Sequence, residues 1–269
     1  MLTTSTAPHM PAPLPWGKSG HRLFVRLAAT GEDIQASQRL RYEVFSREMG
    51  SQFKNSHQSL DQDHYDDYCH HLQVLDRATG SVVGTTRLLT VSNAVKCGGF
   101  YSEHEFELDG LFPLPGRVLE IGRTCIHPDY RRGSTISLLW AGLAQFITLH
   151  HIDYLIGCAS IPLGDGYYQV YAALNYLRQD HPAPAHLAVK PVLPLPHDKE
   201  VPADRSSLPP LIKAYLRLGA SICSEPCLDL EFNTADLFIF LDIKHLNPRY
   251  QRHFIDRDFE AEICAHSVD

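Results

Sequence analysis

The residues best suited to chemistry lie between Leu119 and Thr135, where a glutamate precedes a short basic turn. Glu120 carries a carboxylate, which can take a proton from an amine directly or through water. The turn 131–135 supplies two arginines, a glycine and two hydroxyls. Because the start of a helix has free N–H groups and positive potential, a turn that opens a helix can bind phosphate. A phosphopantetheine arm would suit such a site.

Both features also have a structural interpretation, which the sequence leaves open. Gly133 can simply permit the turn, while Ser134 or Thr135 caps the helix that follows. Glu120 can pair with Arg123 or another buried arginine, and this role can coexist with that of a base.

Hydrophobic periodicity predicts the elements that must position these residues. Residues 118–125 are typical of a strand, and residues 135–150 repeat their apolar side chains at helical spacing. The other predicted strands are 23–28, 71–75, 81–89, 154–160 and 237–243. The other predicted helices are 31–49, 167–179 and 210–218. This alternation predicts an α/β fold, with one mixed sheet covered by helices in a single domain.

The ends of the chain and one internal segment differ in composition from the rest. Residues 1–20 are rich in Pro, Ser and Thr, and we expect a disordered leader. Residues 181–210 hold eight prolines, which predicts a long lid-like insertion without regular structure. The domain is therefore expected to span residues 21–260, followed by a tail at 261–269.

A set of opposite charges accompanies the predicted loop 50–68. Two aspartates, Asp63 and Asp66, precede a strand and face three arginines, Arg41, Arg87 and Arg123. Buried charges are costly unless they are paired, so we expect a polar network that joins helix, loop and sheet. The network can act as a scaffold, or one arginine can hold the carboxylate of an amino acid substrate.

Composition and charge exclude several classes of function. The net charge of -7 disfavours nucleic acid as the main partner. Seven cysteines without a framework or an export signal suggest a reducing cytoplasm. Adjacent histidines at 70–71 and 150–151 point in different directions, so we expect no metal site. Cys125 is interpreted as a small buried residue rather than a nucleophile.

The strand, basic turn and helix around Glu120 resemble the donor site of the GNAT N-acyltransferase superfamily. The phosphate loop of that family has Gln or Arg, two residues, Gly, one residue, then Gly or Ala. Here Tyr130 stands first and Thr135 last, a departure that makes acetyl-coenzyme A a less suitable donor. The resemblance implies a mixed, mostly antiparallel central sheet flanked by helices, an acyl thioester donor and no tightly bound cofactor.

Four ordered motifs resemble a GNAT branch, the acyl-homoserine-lactone synthases, which take acyl chains from acyl carrier protein. The motifs are Arg41 with Phe45, Asp63 with Asp66, Gly84 with Arg87, and Glu120 with Arg123. The tryptophan that those synthases carry shortly after the first helix is missing, and Ser51 stands near its place.

Further segments resemble a neighbouring branch, the ornithine-acyl-ACP N-acyltransferases, over about residues 22–254. The matching segments are 84–89, 101–106, 123–130, 208–220 and 232–237. The resemblance implies transfer of a (3-hydroxy)acyl group from acyl carrier protein to the α-amine of L-ornithine, which forms lyso-ornithine lipid. It implies a cytoplasmic enzyme, with contact to the inner membrane left open.

The candidate site residues fall into three groups. Glu120 is the candidate catalytic base. The candidates for substrate binding or for the charge network are Arg41, Asp63, Asp66, Arg87, Arg123 and Asn233. The candidates for binding the phosphopantetheine of the donor are Arg131, Arg132, Gly133, Ser134 and Thr135. Glu120 and the turn 131–135 are expected to meet at one cleft, and an apolar slot for the acyl tail is expected between 135–150 and 154–160.

Acceptor and partner leave alternatives open. Another acceptor, glycine or tyrosine, is a close rival, and ornithine would need an extra carboxylate in its pocket. Two other interpretations remain. One is an acyl-homoserine-lactone-type synthase that uses S-adenosylmethionine, and the other is a non-catalytic acyl-carrier or lipid-binding module. An acidic carrier protein would need a basic patch on this acidic chain. The residues that could form it are Arg131, Arg132, Lys213, Arg217, Arg249 and Arg252.

Overall fold

A mixed sheet carries the candidate residues Arg87, Glu120 and Arg123, and the loop before its second strand carries Asp63 and Asp66. The computed structural model describes residues 22–49, 59–109, 111, 114–131, 134–164, 167–182, 185–187, 189–196 and 200–247. The strands are β1 (Leu23–Leu27), β2 (His70–Asp76), β3 (Val82–Thr90), β4 (Phe106–Glu107), β5 (Val118–Ile126), β6 (Tyr154–Pro162), β7 (Lys190–Pro191), β8 (Ser221–Ile222), β9 (Cys227–Asp229) and β10 (Thr234–Asp242). The helices are α1 (Gly31–Met49), α2 (Val91–Cys97), α3 (Ser134–His150), α4 (Tyr168–Asp180) and α5 (Pro210–Leu218).

The main sheet has the order β1-β2-β3-β5-β6-β10-β8, with β9 also paired to β10. Its neighbouring strands are antiparallel except for β5 and β6, which run parallel. The expected α/β class with a mixed, mostly antiparallel sheet and flanking helices is confirmed. The leader 1–20 and the tail 261–269 lie outside the described residues.

Alternation along the strands puts two apolar cores on opposite faces of the sheet. Leu119 and Ile121 join a core with residues of α3, α4 and α5, whereas Val118 joins a second core with Phe106 and Phe238. Helix α1 covers the second face, where Gln73 of β2 donates a hydrogen bond to Ser37 at 2.8 Å. The side chains of successive strand residues therefore point to opposite faces of the sheet and pack against different helices.

Five short elements were not expected from the sequence, namely α2, β4, β7, β8 and β9. Helix α2 has only seven residues and ends at Gly98, whose φ of 97° is a left-handed cap conformation. The proline-rich insertion was expected to lack regular structure, and this is wrong at β7, which pairs with β4. Pro191 is tolerated there because β7 is a two-residue strand in a two-stranded sheet, where few ladder bonds are lost.

Strands β5 and β6 separate after a short shared stretch. They pair at Val118–Tyr154, Leu119–Leu155 and Glu120–Ile156, and no further pair joins them among the described residues. Beyond this point β5 stays with β3, and β6 stays with β10 along its whole length. A gap therefore opens in the middle of the sheet, and Glu120 stands at its closed end.

A bulge accompanies this separation on the other side of β5. The register between β3 and β5 shifts between Thr85 and Arg87, opposite Arg123. Arg123 has a φ of 51°, a left-handed conformation that is uncommon for a residue other than glycine. Because a bulge bends its strand and re-aims a side chain, it places the Arg123 guanidinium toward the second core face.

A substitution at the fork tests how closely the two strands must approach. A Cβ atom on Gly157 would lie 2.3 Å from the carbonyl oxygen of Ile121, which belongs to the backbone and cannot move aside cheaply. We expect Gly157→Ala to lower the free energy of unfolding by about 1–3 kcal/mol in urea denaturation. Gly122→Ala is the matched control, since no atom lies within 4 Å of its Cβ position. Equal stability of the two variants would contradict this account.

Candidate active site

Arg41 is the most deeply buried charge of the expected network, with no exposed side-chain surface. Its Nε donates to Asp61 Oδ2 at 2.7 Å, and its Nη2 donates to Asp66 Oδ1 at 2.8 Å. Nη2 also donates to the carbonyl oxygen of Asp61 at 2.5 Å. Asp61 was not among the residues singled out from the sequence, because nothing in its spacing separates it from other acidic loop residues.

Arg87 and Arg123 meet the same loop from strands β3 and β5. Arg87 Nη1 donates to Asp63 Oδ1 at 2.6 Å and to Asp66 Oδ1 at 3.3 Å. Arg123 Nη2 donates to Asp63 Oδ2 at 3.4 Å, and its Nε lies 3.4 Å from Asp61 Oδ2. Five of the six candidates for substrate binding or the charge network therefore lie in one connected set of ion pairs.

The loop that carries the aspartates is itself held by them. Asp63 precedes the 3-10 turn His64–Asp67, and its side chain accepts from Tyr65 N at 2.9 Å. In turn, Asp66 Oδ2 accepts from Asp63 N at 3.0 Å, which completes a capping box. Although burial opposes it, the charges of Arg41 and Arg87 lower the pKa of Asp66 to about 2. Asp66 is therefore ionised at neutral pH and compensates the two arginines.

Asn233 lies outside these ion pairs. It is exposed in the turn before β10, where its φ is 55° and its carbonyl oxygen accepts from Leu163 N at 3.0 Å. Asparagine tolerates this left-handed conformation better than most residues do. The observed geometry gives Asn233 a role in the turn, and a role in substrate binding stays a prediction.

Glu120 is held by the backbone of a distant segment rather than by an arginine. Its Oε2 accepts from Tyr101 N at 2.8 Å, and its Oε1 accepts from Ser102 N at 2.8 Å and from the Ser102 hydroxyl. In the alternative interpretation Glu120 pairs with Arg123 or another buried arginine; its hydrogen-bond partners are instead Tyr101 and Ser102, and Arg87 acts on it only through its charge. Burial raises the pKa of Glu120, and the hydrogen bonds from Ser102 and Tyr101 oppose that rise.

The gap between β5 and β6 continues as a small apolar cavity next to the first core. Its lining residues are Ile121, Trp140, Leu155, Ile156, Gly157, Cys158, Tyr215, Ile239 and Leu241. Trp140 of α3 and Tyr215 of α5 meet edge to face, with ring centroids 5.6 Å apart. The apolar slot expected between residues 135–150 and 154–160 coincides in part with this cavity. Trp140 of the first segment and Leu155 to Cys158 of the second belong to its lining.

The basic turn follows the far end of β5. Thr135 is 1% exposed, and its hydroxyl donates to the carbonyl oxygen of Tyr130 at 2.8 Å, so it is already engaged within the turn. Arg131 forms an ion pair with Glu48 of α1 and donates from Nε to the carbonyl oxygen of Ile126 at 3.1 Å. Arg132, Gly133 and the side chain of Ser134 lie outside the described residues.

Glu120 makes no hydrogen bond with the described residues of the turn, Arg131 and Thr135. Six residue steps of strand β5 separate Glu120 from Ile126, a span of about 20 Å. The expectation that both lie at one cleft stays a prediction; the gap between β5 and β6 runs along β5 from Glu120 toward Ile126. A ligand that touched both would have to be long and extended.

Three comparisons with known proteins bear on this arrangement. Residues 40–141 match the family model described as Acetyltransferase (GNAT) domain. An L-ornithine N(alpha)-acyltransferase of Brucella abortus is 37% identical over 257 residues, which cover 86% of this chain and 88% of that protein. The L-ornithine N(alpha)-acyltransferase of Agrobacterium fabrum is 35% identical over 249 residues, with coverage of 86% and 85%.

Among solved structures, the AHL synthase LasI has a TM-score of 0.51 at 14% identity, and the match covers 87% of this chain and 95% of that chain. The domain match and the curated relatives together define a GNAT acyltransferase. The chain belongs to the family of L-ornithine N(alpha)-acyltransferases. The family resemblance found in the sequence is confirmed. In the described part of the chain no helix has both the length and the apolar character needed to cross a membrane.

The charge network makes a testable contribution to stability. Asp66→Asn would leave Arg41 and Arg87 partly uncompensated in a buried site, so we expect the free energy of unfolding at pH 7 to fall by about 3–5 kcal/mol. Asp67→Asn is the control, because Asp67 is the exposed neighbour in the same turn and should change stability by less than about 0.5 kcal/mol. Urea denaturation of both variants gives the comparison, and similar losses would show that the loop does not depend on the ion pairs.

Proposed function

We propose that this protein transfers a (3-hydroxy)acyl group from the phosphopantetheine thioester of acyl carrier protein to the α-amine of L-ornithine. The product would be lyso-ornithine lipid. The observation that carries the proposal is the gap between β5 and β6, which has an apolar cavity on one side and buried ionisable groups on the other. The names of the relatives supply the acceptor.

The gap suits an extended thioester donor. Beyond Glu120 the edge of β5 that faces β6 has no strand partner among the described residues, so part of this edge can hydrogen-bond to a ligand. The carbonyl oxygen of Ile126, at its end, already accepts from Arg131. The amide groups of a pantetheine arm can pair with such an edge as a peptide strand does. The acyl chain would then enter the cavity beside Ile121 and Trp140.

Transfer requires a neutral amine next to the thioester carbonyl. An α-amine has a pKa near ~8, so at neutral pH most of it carries a proton that must be removed. The nitrogen then bonds to the carbonyl carbon, the carbon–sulfur bond breaks, and the thiol leaves with a proton. No redox cofactor is needed for this exchange.

Glu120 is the base that we propose for this step. A carboxylate offers about four lone-pair sites, and three are filled by Ser102 and Tyr101. Oε2 accepts a single bond from Tyr101, so it retains a site for the amine or for a bridging water. The raised pKa of Glu120 brings it closer to that of the amine, which favours proton transfer.

A carrier protein as the source of the thioester is supported by the position of α5. Tyr215 of this helix lines the cavity, while Arg217 is exposed and Lys213 lies one turn earlier. We propose these two cations as the docking surface for an acidic carrier, with Lys213 Nζ also donating to the carbonyl oxygen of Ser206 at 3.3 Å. Of the other basic residues considered, Arg131 pairs with Glu48, and Arg132, Arg249 and Arg252 lie outside the described residues.

The proposed reaction can be tested with the purified protein and defined substrates. We expect incubation with 3-hydroxyacyl carrier protein and ornithine to yield N-acylornithine, detected by mass spectrometry. Glycine, tyrosine and S-adenosylmethionine serve as competing acceptors, and the matching acyl-coenzyme A serves as the competing donor. Product from another acceptor but none from ornithine would refute the acceptor, and equal rates with coenzyme A would refute the carrier preference.

The role of Glu120 is tested by two variants, one at Glu120 and one at Ser102, whose hydroxyl donates to the Glu120 carboxylate. Glu120→Gln cannot take up a proton, so we expect kcat to fall by about 100-fold or more. Ser102→Ala removes one donor but keeps the carboxylate and both backbone bonds, so we expect a fall of less than about tenfold. Thermal denaturation checks that both variants are folded. Full acyl transfer by Glu120→Gln would assign the proton to another group.

A further inference from the structure

Three carboxylates from distant parts of the sequence converge near β6. Glu105 follows the 3-10 turn Tyr101–His104, Asp229 ends β9, and Asp236 belongs to β10. One carboxylate oxygen of each lies within 4.8 Å of the others. We call these three residues the acidic cluster.

Glu105 is a buried carboxylate whose polar neighbours are the thiol of Cys158 and the carboxyl group of Asp236. It is 6% exposed, and neither oxygen of its carboxylate accepts a hydrogen bond of normal geometry from a described residue. Leaving a buried carboxylate without a donor is costly, so a site of this kind calls for a ligand that donates hydrogen bonds or carries positive charge.

The other two carboxylates are held in place by neighbours. Asp229 Oδ1 accepts from Glu231 N at 2.8 Å and from Phe232 N at 3.0 Å. Asp236 Oδ1 accepts from the Thr234 hydroxyl at 2.8 Å. They form a fixed acidic wall against which Glu105 is set.

The acidic cluster adjoins the gap in the sheet. Cys158 lines the apolar cavity, and its thiol also lies beside Glu105. Glu105 follows directly on the segment whose Tyr101 and Ser102 are bound to Glu120. The base proposed above and the acidic cluster are therefore attached to the same short stretch of chain.

We propose that the acidic cluster binds the side-chain ammonium of the acceptor and so selects a diamino acid over amino acids with neutral side chains. This inference rests on the function proposed above, and it assigns the residues that choose the acceptor. An ammonium donates three hydrogen bonds, which matches three converging carboxylates.

The electrostatics of the acidic cluster favour a cationic ligand. Burial and the neighbouring Asp236 raise the pKa of Glu105 well above its usual range. Burial and Asp229 raise the pKa of Asp236 to about 6. A bound ammonium would supply the missing positive charge and favour the ionised carboxylates.

The test compares ornithine with norvaline, which has the same carbon chain without the terminal amine. With acyl carrier protein as donor, we expect Glu105→Gln and Asp236→Asn to lower kcat/KM for ornithine by about 30-fold or more. Activity with norvaline should change little. Glu107→Gln is the matched control, because Glu107 is the exposed neighbour on β4.

A binding measurement covers the case in which a variant fails to fold. Ornithine should raise the Tm of the wild-type protein, and norvaline at the same concentration should not. Equal losses for both acceptors in folded variants, or equal Tm shifts in the wild type, would overturn the inference while ornithine acylation stood.

Two other results separate this inference from its alternatives. Loss of wild-type activity with EDTA and recovery with Mg²⁺ would assign the acidic cluster to a metal, and would overturn the ammonium site. Wild-type protein that acylates neither ornithine nor norvaline would refute the proposed function itself, and the inference would fall with it.

Discussion

The compensation of buried positive charge constrains this structure more than any other interaction. Arg41, Arg87 and Arg123 arise on a helix and on two strands, and all three are directed at one loop. Desolvated guanidinium groups demand carboxylates at short range, so the loop with Asp61, Asp63 and Asp66 must fold over the sheet. Because Arg123 belongs to β5, the same ion pairs hold the bulged strand at the edge of the gap.

The gap is the second consequence of how β5 is held. Its ladder with β3 keeps β5 on one side, and the full-length pairing of β6 with β10 keeps β6 on the other. Three residue pairs join the two halves of the main sheet, and Gly157 lets the backbones approach at the fork. The site is therefore built mainly from backbone pairing, and side chains decide what lies on its two faces.

Sequence patterns predicted the elements well where periodicity was strong. Helices 31–49 and 210–218 have the expected ends, since an apolar stripe, an early proline at Pro210 and Gly219 mark them clearly. The charge partners Asp63 and Asp66 were also recognisable, because buried arginines require acids nearby. Helix α2 was not predicted, because its seven residues are too few to show a helical repeat of apolar side chains.

The candidate site was less accessible to sequence reasoning. The partners of Glu120 are mainly backbone N–H groups, which every residue except proline has. Residue types therefore give no indication of where these partners lie. Glu105, Asp229 and Asp236 come together only through the pairing of β9 with β10 and the path of the segment after Tyr101. Long-range convergence of this kind has no local pattern in the chain.

The parted sheet also bears on the energetics of the protein without its substrates. A strand edge that water must solvate forms one of the weaker places in a sheet, and local opening there costs less than global unfolding. An extended donor laid along β5 would act as the absent strand and join the two halves. The bound substrate would then take the place of a strand and stabilise the sheet. After its release, the two parts of the sheet would again be joined only through the short pairing of β5 with β6.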